Sequence, residues 1–152
     1  MPAKTLARTP DWKSFIEEFR AAHAQTMIEP IVAGCALIAY ADGWVSPEEE
    51  RRMARLINDF RPLEVFGAED VLRAFGEISR LFEEDHDAGE REALRLASEL
   101  RGRGRHARLL LDTCCAIAAA DGGFDREERH AAMALCGALD LDPADYGLED
   151  AP

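Results

Sequence analysis

The sequence predicts an all-α fold. Three observations carry that prediction: apolar residues recur at helical spacing almost throughout, no β-alternating run of useful length competes, and two segments read as copies of one helix–turn–helix unit. The expected architecture is a compact helical bundle of about seven helices, held in one domain over residues 1–152.

Trp12, Phe15, Ile16 and Phe19 fall at i, i+3, i+4, i+7 and predict a first amphipathic helix after Pro10-Asp11. The segment from about Met27 to Tyr40 is apolar nearly all round, so it belongs at the centre of the bundle. Met53, Leu56, Ile57 and Phe60 mark one face of a third helix, and Val71, Phe75, Ile78 and Phe82 one face of a fourth. Ala93, Leu96, Ala97 and Leu100 mark a fifth. Leu109 to Ala120 again reads as apolar all round. Ala132, Leu135, Cys136 and Leu139 close the set, and Asp142-Pro143 opens a short last turn.

Composition narrows the function classes. A hydrophobic fraction of 47% with 32% charged residues belongs to an ordinary globular protein. Ile31–Ala41 is too short to span a bilayer, and Met1 to Pro10 lacks the apolar core of a signal peptide, so the expected address is the cytosol. The net charge of −12 argues against nucleic acid as the main partner, because phosphate contacts need clustered Lys and Arg. The run Arg101-Gly102-Arg103-Gly104-Arg105-His106-Ala107-Arg108 is the exception: it could grip an acidic partner or RNA, but it reads first as a solvated basic loop.

No covalent-catalysis machinery is recognisable. Cys35, Cys114, Cys115 and Cys136 sit in apolar helical surroundings without a Cys-x-x-Cys pair, which predicts buried free thiols. His23, His86, His106 and His130 are scattered, and neither a phosphate-cradling Gly-rich loop nor a Gly-x-Ser-x-Gly elbow occurs. The expectation is a protein that is not an enzyme. A metal-dependent hydrolase is the competing reading.

The duplication is the informative feature. Cys35 through Glu49 lies over Cys114 through Glu128 without a gap, and about nine of some 22 positions from Cys35 to Leu56 are identical. The repeated units span about 28–60 and 107–139, and two such helical hairpins would face one another across a pseudo-twofold axis. Much of each turn has a structural explanation. Gly43 and Gly122 suit a left-handed helix end. Ser46-Pro47-Glu48-Glu49 is a capping box, and Asp125-Arg126-Glu127-Glu128 repeats it with Asp as the cap. Val45 and Phe124 staple the turn to the core.

Capping does not explain Asp42 and Asp121. Each is expected at a helix C-terminus, where the dipole disfavours a carboxylate by about 0.3–1 kcal/mol. With Glu49 and Glu128 seven residues further on, two hollows would gather four carboxylates, which repel unless a cation sits among them. The spacing matches the back half of an EF-hand loop, but Ile38 and Tyr40, then Ile117 and Ala119, stand where further oxygen ligands are needed. The two halves would have to cooperate. Hard oxygen donors alone favour Ca²⁺, Mg²⁺ or Mn²⁺. Between the copies, Asp87 with Glu90 reads as another helix cap, while Glu83, Glu84 and Asp85 lie against the dipole of the preceding helix, where they read first as solvated acids and, alternatively, Asp85 could extend the metal site.

These residues carry a resemblance. Ala41-Asp42-Gly43 with Ser46-Pro47-Glu48-Glu49, the loop around Phe82–Glu90, Ala120-Asp121-Gly122-Gly123-Phe124-Asp125 with Glu127-Glu128, and the ending Leu139–Leu148 together resemble the tellurite-resistance TerB family. The likeness covers about Met27 to Leu148. It implies a helical bundle of two similar halves, a divalent-metal site on Asp42, Glu49, Asp121 and Glu128, and a cytosolic role in resistance to tellurite and other stresses. It also implies association with partner proteins of the same system, membrane-bound ones among them, at the inner face of the membrane. Trp44 and the Arg101–Arg108 run match no family role. The alternative is a purely structural interaction module whose acids only cap helices and bind no metal.

Overall fold

The computed structural model describes Lys13, Glu17 and residues 27–43, 45–60, 67–120 and 125–148. Among the described residues there are six α-helices, two 3₁₀ turns and no strand. The periodicity of Trp12 to Phe19 and the Asp121–Phe124 turn lie outside them.

Helix α1 (Ile28–Ala39) is apolar nearly all round, with Glu29 exposed in its first turn, and is the centre of the bundle, as its composition dictates. It packs against four later helices: α3 (Ala68–Glu84), α4 (His86–Ala97), α5 (Gly104–Ala120) and α6 (Arg126–Leu139). Helix α2 (Pro47–Asp59) leans mainly on α3 and buries Met53 and Ile57. By contrast, α6 packs against α1, α4 and α5. A 3₁₀ turn at Ser98–Leu100 buries Leu100, and a second, Pro143–Tyr146, is capped by Asp142 and buries Tyr146. No described helix is long and apolar enough to cross a membrane.

The α1–α5 seam is closely packed and fully buried. Ile31, Leu37, Leu110, Leu111 and Leu135 are at most 2% exposed. Gly34 lets the two backbones approach: a Cβ there would lie 2.8 Å from Cys114 Sγ and 3.1 Å from Leu110 Cδ2. The predicted inward faces of α3 (Val71, Phe75, Ile78, Phe82) and α6 (Ala132, Leu135, Cys136, Leu139) are buried as their spacing requires.

All four cysteines are free and buried. Cys35 and Cys114 bring their Sγ atoms to 3.7 Å across the seam. Burial drives the Cys114 and Cys115 thiols well up, and it pushes Cys136 up to about 12. These groups are protonated and shielded at neutral pH. Native protein is therefore expected to react slowly with a thiol reagent, and denatured protein fast at four sites. A labelling time course followed by mass spectrometry checks this, and rapid native labelling of any of the four would contradict it.

Two expectations need correction. The basic run is not wholly a loop: Arg101 and Gly102 form the turn, but Arg105, His106 and Arg108 lie in the opening turns of α5. Its helical residues follow the burial pattern of Ala107, Leu109 and Leu110, which draws the helix forward. The cap of α4 is Asp85, not Asp87. The chain leaves α3 and restarts after one extended residue, Asp85 (φ −160°), whose carboxylate accepts from Ala88 N at 3.3 Å.

Candidate functional site

The site is built at one end of the bundle, where α1 stops and α3 turns into α4. Helix α1 ends at Ala39 with Tyr40 as its C-cap, and the next turn carries Ala41, Asp42 and Gly43. Gly43 adopts φ +105°, the conformation for which a side chain is unsuited. Asp42 is exposed in this turn, two residues beyond the cap.

Both second helices open as their sequences require. Ser46 Oγ accepts from Glu49 N at 3.1 Å, while Glu49 Oε1 accepts from Ser46 N at 3.0 Å. Asp125 Oδ1 accepts from Glu128 N at 2.7 Å, while Glu128 Oε1 accepts from Asp125 N at 2.9 Å. These are reciprocal capping boxes. The hydrogen bonds from Ser46 hold the Glu49 carboxyl below its ordinary range, so it is an anion at neutral pH. In the Ser46 cap, Glu49 accepts through Oε1 alone.

Tyr40 organises the ground between the elements. Its ring is buried and stacks on Phe82 at 4.7 Å, with the planes 9° apart. Its hydroxyl lies 3.3 Å from Glu83 Oε2 and 3.5 Å from Glu50 Oε2. Burial pushes the phenol up to about 12; the Ser79 hydroxyl eases that shift, and the Glu50 and Glu83 carboxylates add to it. Glu50 is itself raised, first by desolvation and then by Glu83. Two acids therefore crowd one phenol beside the Asp42 turn.

On the other side of Tyr40, its carbonyl meets His86 Nε2 at 2.9 Å. A carbonyl only accepts, so Nε2 is the donor, and in the neutral ring this tautomer keeps the lone pair on Nδ1. The imidazole also packs edge-on against Phe82, with centroids 5.4 Å apart. One atom each of His86, Asp87 and Glu90 lie within 4.8 Å of one another. A cavity of about 180 Å³ opens here, bounded by His86 and Glu90 on one side and Glu127 and His130 on the other.

Of the four carboxylates expected as ligands, Asp42, Glu49 and Glu128 lie on the predicted turn and helix starts, and Asp121 falls outside the described residues. Sequence reasoning passed over Glu50 and Tyr40, whose meeting with Glu83 spans three elements and leaves no local signal. It also passed over the His86-Asp87-x-x-Glu90 spacing, which was readable as one helix face. Asp112, 1% exposed inside α5, was hidden in an otherwise apolar run.

Comparison with known proteins supplies the family. The model of the family described as "Tellurite resistance protein TerB" matches residues 29–150. A "Tellurium resistance protein TerB" from Alcaligenes sp is 31% identical over 80 residues, a stretch covering 53% of this chain and 66%, just under two thirds, of that relative. No solved structure matches significantly. The all-helical bundle, the Asp-Gly turn with its capping box and the match across residues 29–150 agree, and the chain belongs to the TerB family.

Proposed function

We propose that this chain is a non-enzymatic component of a tellurite- and stress-resistance system. It holds a divalent cation among Asp42, Glu49, Asp121 and Glu128 and acts by associating with partner proteins of that system at the inner face of the membrane. Two repeated Asp-Gly turns supply the ligands. What supports the cation most is the carboxylate excess that capping leaves unexplained. Asp42 caps nothing in the described hydrogen bonding, and Glu50 and Glu83 crowd the adjacent Tyr40 hydroxyl. A cation of the Ca²⁺, Mg²⁺ or Mn²⁺ class suits an all-oxygen donor set and would relieve the repulsion. The burial of all four thiols removes the usual cysteine nucleophiles and supports the non-enzymatic reading. The Alcaligenes relative's name supports the resistance role.

A second reading is favoured by one observation. The two capping boxes account fully for Ser46, Glu49, Asp125 and Glu128 as helix starts, so a structural interaction module with no metal fits those four residues. Growth on tellurite separates the two. In cells deleted for their own copy, the wild-type chain should restore resistance, and the double variant Asp42→Asn/Asp121→Asn should fail to, at equal protein level. Full resistance from the double variant would leave the structural module standing.

A further inference from the structure

The cleft between the start of α4 and the start of α6 carries a donor set unlike the four carboxylates. His86 and Glu90 stand four residues apart on α4, and Glu127 and His130 three apart on α6, so each pair projects from one helix face. All four line the same cavity of about 180 Å³. Asp87 adds a carboxylate within 4.8 Å of the His86 and Glu90 donor atoms. We infer that these residues bind a divalent transition ion of the Zn²⁺ class, with His86, Asp87 and Glu90 as the anchoring group and His130 and Glu127 reaching across the cavity from α6 to complete the shell.

Three features favour such an ion over Ca²⁺ or Mg²⁺. Two imidazoles among carboxylates are the donors that Zn²⁺ and its neighbours select, whereas hard cations take oxygen alone. The His86 ring is already oriented: its Nε2–H donates to the Tyr40 carbonyl at 2.9 Å and leaves Nδ1 for a ligand. That arrangement, a ring N–H held by a backbone carbonyl, is how metal-binding histidines are commonly fixed. The ring is also braced edge-on by Phe82, so little orientational freedom is lost on binding. Helix starts are unfavourable to cations, but Asp85 and Asp87 on α4 and Asp125 and Glu128 on α6 offset the two positive ends. The inference is independent of the Asp42–Asp121 site, because it uses none of its ligands.

Titration of the full chain with Zn²⁺ against a chromogenic chelator tests it, together with NMR of the histidine ring nitrogens. The expected result is one ion per chain, with zinc-dependent shifts of the His86 and His130 nitrogens. His130→Ala and Glu90→Gln, both at exposed positions, should each weaken binding by about tenfold or more. Asp42→Asn should bind Zn²⁺ as the wild type does. Wild-type zinc affinity in both His130→Ala and Glu90→Gln would overturn the inference. So would zinc bound with the imidazole signals unmoved, which would place the ion on the thiols or the carboxylates.

Discussion

Leu110→Ala is expected to cost about 2–5 kcal/mol of stability, the range for truncating a fully enclosed leucine. Leu110 is 0% exposed, and its Cδ2 fills the space that Gly34 leaves on α1. The cavity has no easy way to collapse, because α1 is held from the other sides by α3, α4 and α6. In a chain of this length the loss should appear as about 2–4 °C of melting temperature per kcal/mol. Leu72→Ala is the matched control: Leu72 is 40% exposed and should change stability by no more than about 0.5 kcal/mol. Equal losses at the two positions would mean that the α1–α5 seam is not the core.

Gly89→Ala is expected to destabilise by about 1–3 kcal/mol, although alanine is the better helix former by up to about 1 kcal/mol. A Cβ at Gly89 would lie 2.7 Å from Phe82 Cα and 2.8 Å from Phe82 N. Backbone cannot rotate away as a side chain can, so α4 would have to lift from α3. The displacement would also disturb Phe82, on which Tyr40 stacks and against which His86 packs. Gly76→Ala provides the contrast, because that exposed glycine of α3 meets nothing within 4 Å and should gain about 0.5–1 kcal/mol. Urea midpoints for the two variants decide it. A stabilising Gly89→Ala would show that the α3–α4 turn is looser than the geometry requires.

Where burial is set by periodicity, the sequence was a sufficient guide. Val71, Phe75, Ile78 and Phe82 had to face inward, and the unpatterned hydrophobicity of Ile28–Ala39 could be satisfied only at the centre. Capping is equally local, and Ser46/Glu49 and Asp125/Glu128 follow from residues three apart. What the sequence hid was long-range. Tyr40, Glu50 and Glu83 meet across 43 residues of chain, and only packing brings them together. The Asp85 cap was misread as Asp87 because two acids, two residues apart, both precede a plausible helix start, and backbone geometry alone chooses between them. The cavity between α4 and α6 was beyond reach for the same reason: each half is a short spacing of common residues, and its meaning comes from the other half.

Calorimetric titration of the purified, metal-stripped chain with Ca²⁺, Mg²⁺ and Mn²⁺ measures the proposed sharing of one divalent cation by Asp42, Glu49, Asp121 and Glu128. The predicted result is saturable binding of one such ion per chain. At a free-ion level about a hundredfold above Kd, that ion should stabilise the fold by about 2.7 kcal/mol. Asp42→Asn and Asp121→Asn should each abolish the binding. Glu49→Gln and Glu128→Gln should weaken it while still capping their helices, since glutamine also serves a capping box. Absence of binding for all three ions, or Asn variants that titrate as the wild type does, would rule out the shared cation and leave Glu49 and Glu128 as helix caps alone.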